Sequence, residues 1–257
     1  MITLNDYANR YENIKTERTD DGILAVTLHA NGGSHVHTGK AHGDFSEAFG
    51  FIALDPENEV IILTGAGDEF MTQIDFTTVA DNTQPQNWYK ILTEARRMIF
   101  NLLDVQVPII AAVNGPVHIH SEYPLLCDLI LAADTSEFAD KVHKGVGVVP
   151  ADGVQVAWEQ ALGPVRARYY LYTGTTISAQ EALALGMVHE VVPKAQLLTR
   201  AHELAHELLK LPRLARVYNH LMFMKKLKCE VVEHLPFDMG LAGAVLTDRN
   251  FNPWSPA

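Results

Sequence analysis

Residues 108–153 read PIIAAVNGPVHIHSEYPLLCDLILAADTSEFADKVHKGVGVVPADG. Two short apolar runs in it, IIAAV and LILAA, have the pattern of strands covered on both faces, and Asn114-Gly115-Pro116 ends the first with a sharp reversal. After that break stand His118, His120, Glu122, His143 and Asp152. Such groups are costly to bury without partners. Their concentration between and beyond two core strands therefore reads as the floor of an active site.

Upstream, residues 60–63 are another buried-strand run, closed by Thr64-Gly65-Ala66-Gly67, whose glycines lack the spacing of a phosphate loop. Residues 12–30 read as a hairpin turning at Asp20-Asp21-Gly22. Ser34-His35-Val36-His37-Thr38 sets two histidines on one side of an extended segment, and His42 stands near the start of a helix carrying Phe45, Ala48, Phe49 and Ile52. Between 88 and 103 the apolar residues form one helical face that ends before Pro108.

Downstream, residues 157–162 and 165–172 read as helices split by Gly163-Pro164, Ser178 caps another, and 188–192 returns to strand. A Leu/Ala stripe over 197–209 is core or subunit interface. A break near Leu211-Pro212 follows, then two further helices before the NPWSPA tail. A composition shift near residue 194 divides a core, 1–193, from a helical region, 194–257.

The 257 residues are 47% hydrophobic, with mean hydropathy +0.01, which indicates a globular chain with a substantial core. A formal net charge of -11 argues against nucleic-acid binding, since the one basic cluster, Lys225-Lys226-Leu227-Lys228, reads as a solvated helix face. Cys127 and Cys229 belong to no CxxC pair and no zinc-ligand spacing, so a reducing cytoplasm is the simplest location. No apolar leader and no apolar run of about 18 residues is present, so no membrane partner is expected.

Taken together, VIILTGAGDEFMTQIDF, PIIAAVNG, CDLILAAD, FAD, VVPADG and YLYTGTTISAQEALALGMVHEVV resemble the crotonase (enoyl-CoA hydratase/isomerase) family, in the right order and over residues 12 to 230. The resemblance implies an α/β fold, a spiral of ββα units with a helical C-terminal region that packs on a neighbouring subunit in trimers or pairs of trimers. It also implies an oxyanion hole of two backbone N–H groups, one in Gln73-Ile74-Asp75 and one around Ile119-His120-Ser121.

The departures from the family pattern bear on chemistry. Where CoA-dependent members carry a Gly-Gly-Gly run after VNG, this chain reads HIHSE. Glu122 falls where the first water-activating glutamate of a hydratase would sit, but the second is replaced by Lys141-Val142-His143-Lys144. The loop that normally helps to hold CoA supplies only Lys40.

These features resemble the CoA-independent β-diketone hydrolase branch, which matches at VNGPV followed by His120, at Phe138 followed by His143, at Asp152 and at His42. That branch differs at His37, where the 6-oxocamphor hydrolase-like members carry tryptophan, and at Ala244, where they carry glutamate.

The expected activity is hydrolysis of a C–C bond in a small-molecule β-diketone, without metal or cofactor. His143 would activate water with Asp152 holding its tautomer, and His120 with the backbone around Ile74 would polarise the carbonyl. His37, His42, Ile74 and Glu122 would bind substrate. Four other readings stand beside these. Glu122 can serve a CoA-thioester hydratase or isomerase, or merely favour a helix start; Asp152 can cap the helix after Gly153; and the chain can be a non-catalytic assembly protein of this fold. The two HxH pairs lack a completing ligand set for a metal.

Overall fold

The computed structural model describes residues 1–248. It opens with the expected hairpin, β1 (Ile14–Arg18) and β2 (Ile23–Leu28), paired antiparallel with Ile14 opposite Leu28. A short strand, β3 (Val36–His37), leads into α1 (Gly39–Leu54), which starts where the Thr38 hydroxyl accepts a hydrogen bond from the Ala41 N–H at 3.0 Å. That cap satisfies an orphan donor and fixes the point at which His42 leaves the first turn.

Next come β4 (Val60–Gly65), β5 (Gln73–Ile74), α2 (Pro85–Asp104) and β6 (Ile109–Val113). After the reversal at Asn114 follow α3 (Glu122–Leu125), β7 (Leu129–Ala133), β8 (Glu137–Phe138), α4 (Val142–Val146), α5 (Val154–Leu162) and α6 (Pro164–Thr173). The described chain closes with β9 (Ile177–Ser178), α7 (Ala179–Ala184), β10 (Glu190–Val192), α8 (Leu197–Leu209) and α9 (Arg213–Val245). The Ser178 cap is present, accepting from the Glu181 N–H at 3.3 Å.

Six strands form the main sheet in the order β1-β2-β4-β6-β7-β10, parallel at every pairing but the first. Its central strands are covered on both faces, which is why residues 60–63 of β4 and all of β6 form continuous apolar runs rather than alternating. On one face Ile23, Ile62, Ile110 and Leu131 pack under Leu197, Ala201 and Ala205 of α8. On the other, Leu24, Ile61, Leu63 and Ala111 meet Phe45 and Phe49 of α1, Met98 and Ile99 of α2 and Trp158 of α5. Full burial of each large apolar side chain contributes roughly 1.5–3 kcal/mol.

Beyond the C-terminal ends of β4 and β6 the chain leaves the sheet in two loops stapled together by Asn114. Its Oδ1 accepts from the Gly65 N–H at 3.1 Å and its amide donates to the Gly67 and Glu69 carbonyls at 3.2 and 3.3 Å. Gly115 lies so close to the first loop that a Cβ there would stand 1.9 Å from the Asp68 carbonyl oxygen. The HIHSE segment follows, its His118 and Ile119 N–H groups donating to the Met71 carbonyl at 2.8 and 3.3 Å, just before β5.

Two expectations are corrected by the fold. The C-terminal region after Pro212 is one 33-residue helix rather than two, because a buried stripe at helical spacing, Val217, His220, Leu227, Val231, Leu235, Met239 and Ala242, runs on through Pro236. The tail lies outside the described residues. Asp152 does not cap α5: the cap position is Gly153, at φ 83°, with no side-chain hydrogen bond. Among the described residues no helix is long and apolar enough to cross a membrane.

Candidate active site

A cavity of about 170 Å³ opens where the start of α1, β5, the start of α2, the HIHSE segment, the 142–152 stretch and the end of α9 meet. His37, His42, Ile74, His120, His143 and Asp152 all line it. The remaining wall is mostly apolar, and it contains no lysine or arginine. Glu122 is not in the lining: it lies behind His120, fully buried.

His143 stands in the first turn of α4, and its expected partner has changed. Its Nδ1 is 2.9 and 3.0 Å from the two carboxylate oxygens of Asp140, whereas Asp152 Oδ2 is 3.9 Å from Nε2 on the opposite side of the ring. The residue that holds the tautomer is therefore Asp140, with Nδ1–H donating to it and Nε2 left facing the pocket. Burial draws the His143 pKa down, but the charge and hydrogen bond of Asp140, with the charge of Asp152 behind them, outweigh it and raise the value to about 9. Sequence reasoning missed Asp140, although its i,i+3 spacing to His143 was a usable signal.

Asp152 reaches the pocket because its backbone is left-handed, φ 56°, followed by Gly153 in the same region. Aspartate tolerates that conformation better than most residues. His120 is also left-handed, φ 49°, at the place where glycines stand in CoA-dependent relatives by sequence resemblance. No backbone carbonyl among the described residues accepts from the His120 N–H. Just after β5 the Asp75 N–H is used by the His37 carbonyl, so strand alternation turns the Ile74 N–H to the other edge of β5, which has no strand neighbour.

The imidazole of His120 stacks on Tyr123, ring centroids 4.9 Å apart at 10°, and its Nδ1 is 2.7 Å from Glu122 Oε1. Burial, then the neighbouring His42, depresses its pKa to about 3. Glu122 moves the other way: burial, then the charge of Asp152, pushes its carboxyl well above the usual range.

His37 packs 4.5 Å from the His120 ring and 5.8 Å from the His42 ring, and burial together with these neighbours keeps it neutral. Behind it, His35 is buried, its Nε2 3.5 Å from His37 Nδ1, with burial lowering its pKa to about 4. His42 is held by Glu94 of α2, Nδ1 to Oε2 3.0 Å, and Glu94 is in turn paired with Lys90. Glu94 was also missed; it flanks the apolar face of α2, and nothing local marks it. His118 points away to Glu137, 3.2 Å from its carboxylate, and does not line the pocket. Among the described residues no cluster of three or more His, Cys, Asp or Glu side chains is arranged to hold a metal ion.

A mostly parallel sheet with helices on both faces, an acid–base cluster beyond its strand ends and a long C-terminal helix closing the pocket define an enzyme of crotonase type. The chain belongs to the enoyl-CoA hydratase/isomerase family, whose sequence model matches residues 18–251.

Among solved structures it is similar to a β-diketone hydrolase from the cyanobacterium Anabaena sp. PCC 7120, bound there to (S)-3-oxocyclohexyl acetic acid. That likeness has a TM-score of 0.93 and 44% identity, over 95% of this chain and 97% of that one. An enoyl-CoA hydratase/isomerase from Mycobacterium paratuberculosis, TM-score 0.85 and 24% identity over 95% and 97% of the two chains, shares the fold. Among sequences, a hydroxycinnamoyl-CoA hydratase-lyase of Pseudomonas fluorescens is 30% identical over 84% of this chain and 80% of its own. A carnitinyl-CoA dehydratase of Escherichia coli is 34% identical over 75% and 73%.

Proposed function

We propose that this protein hydrolyses a carbon–carbon bond of β-diketones. The observation that carries the reading is the pocket itself: a base, an acid and three further imidazoles converge in an otherwise mostly apolar lining without a lysine or arginine to meet CoA phosphates. A compact neutral diketone suits that lining. The likeness to a β-diketone hydrolase at 44% identity supports the same reading.

In this scheme neutral His143 takes a proton from water at Nε2 while the water oxygen attacks one carbonyl carbon. The oxyanion receives hydrogen bonds from His120 and from the backbone at His120 and Ile74, each donor being worth roughly 2.7–4 kcal/mol in the transition state. The C–C bond then breaks. Its electron pair passes into an enolate stabilised by the second carbonyl, whose oxygen accepts from His37. The proton held by His143 returns to the enolate carbon, directly or through Asp152, leaving a carboxylic acid and a ketone. No cofactor is called for, because the second carbonyl serves as the electron sink.

Incubation with cyclic and alkyl 1,3-diketones, following loss of enol absorbance, tests this. Cleavage is expected, with His143→Ala and Asp152→Asn each reducing kcat/KM by at least roughly 100-fold. Failure to cleave any such diketone, or wild-type rates in both variants, would sink it. The sequence relatives that act on CoA esters motivate a second reading, a CoA-thioester hydratase or isomerase using Glu122. The burial of Glu122 behind His120 weighs against it. Saturable binding of an acyl-CoA would favour it.

A further inference from the structure

We propose that Glu122 is a positioning residue that keeps its proton and donates it to Nδ1 of His120, fixing the imidazole as the Nε2–H tautomer with that N–H turned to the pocket. The inference rests on the reading of His120 as an oxyanion donor and assigns how it becomes one.

A neutral imidazole carries one N–H, and the group bonded to the far nitrogen decides which. His120 has its Nδ1 tied to Glu122 at 2.7 Å, its ring clamped flat on Tyr123, and the rest of the ring in the pocket wall. If Glu122 were a carboxylate, Nδ1–H would donate to it. Nε2 would then present a lone pair to the oxygen that becomes negative, and the interaction would be repulsive. A carboxylic acid reverses the polarity: O–H donates to Nδ1, the ring proton sits on Nε2, and the pocket gains a donor that carries no charge.

The surroundings of Glu122 select the second arrangement. Its side chain is 0% exposed, and Oε2 has no hydrogen-bond partner among the described residues. A buried ionised oxygen without a partner is very costly; a buried acid carbonyl in the same place is far less so. The carboxylates of Asp140 and Asp152 add negative charge nearby, against the positive charge of His143. Proton transfer onto His120 is opposed as well, since its own burial and the adjacent His42 make that ring a weak base. The pair is therefore a neutral acid and a neutral imidazole. The glutamate at the hydratase position would then be a fixed prop for the residue in front of it.

The test is 15N NMR of the full-length enzyme labelled in histidine, with the His120 signals assigned by their loss in His120→Asn. At pH 7 a protonated Nε2 and an unprotonated, hydrogen-bonded Nδ1 are expected. The opposite tautomer, or an imidazolium, overturns the inference.

Activity on a 1,3-diketone supplies the second arm. Glu122→Leu should lower kcat by roughly 100-fold with little change in KM. Glu122→Gln, whose amide N–H can still donate to Nδ1, should recover at least about tenfold of that loss. Equal loss in both variants counts against the donor role, and the wild-type spectrum decides the matter even if Glu122→Leu fails to fold. An Nε2–H signal in an enzyme that cleaves no diketone would leave this pair standing and remove the hydrolase reading. The Nδ1–H tautomer in an active hydrolase would do the reverse.

Discussion

His143 has a carboxylate on each side, and the two have different jobs. Asp140 holds Nδ1 at hydrogen-bond distance while Asp152 faces Nε2 across 3.9 Å, a gap that suits a bridging water. Because the His143 pKa is raised to about 9, the ring is mostly protonated in the free enzyme at neutral pH. As a base it must first lose that proton, so kcat/KM should rise with pH and level off above about 9. Asp140→Asn removes the charge and should move the rising limb down by roughly 1–3 pH units. The plateau should fall at least about tenfold as the tautomer loosens. A limb that stays in place would assign the raised value to Asp152.

The same shift predicts a stability change. A folded-state pKa raised from 6.5 to about 9 gives stabilisation that is complete below 6.5 and lost as pH rises through 9. Denaturant unfolding should therefore show Asp140→Asn costing more at pH 6 than at pH 10.

Among the elements, α9 and α2 close the pocket together, Ala242 and Leu246 from the C-terminal end facing Trp88 and Ile91. Their approach depends on Gly243, where an added Cβ would lie 2.5 Å from Trp88 Nε1. Gly243→Ala should push the end of α9 off α2 and cost about 1–3 kcal/mol by overpacking, read from urea unfolding. KM for a diketone should rise, because the displaced wall no longer closes on substrate. A variant with unchanged stability and KM would show that Trp88 swings aside freely.

At the scale of the molecule, α8 covers the central strands on one face of the sheet, so the region after residue 194 is part of the fold's own core as well as a candidate for subunit packing. Truncation after Pro193 would bare Ile23, Ile62, Ile110 and Leu131 to water, and the fragment should show no cooperative unfolding transition by circular dichroism. We also propose the trimer or pair of trimers that the family resemblance implies. Exposed Tyr169 and Tyr172 on α6 and Leu221, Met222 and Phe223 on α9 would supply its apolar surface. Sedimentation should give three or six times 28.5 kDa; a species of 28.5 kDa alone would refute it.

The main-sheet strands, the Asn114 turn, the cap at Ser178 and the family itself were legible in the sequence, because each follows from local backbone geometry, side-chain periodicity or motif order. His120, His143 and Asp152 were legible as departures from a known pattern, and the pocket lining contains all three. Partnership was not legible. Glu94 meets His42 across 52 positions, and Asp140 rather than Asp152 takes Nδ1 of His143. The continuity of α9 past Pro236 also needed the surfaces it packs against. Sequence alone determined which chemical groups the chain has and roughly which segments carry them. Only the tertiary structure decided which of those groups lie within hydrogen-bond distance and which are cut off from water, and those two quantities set where the protons sit.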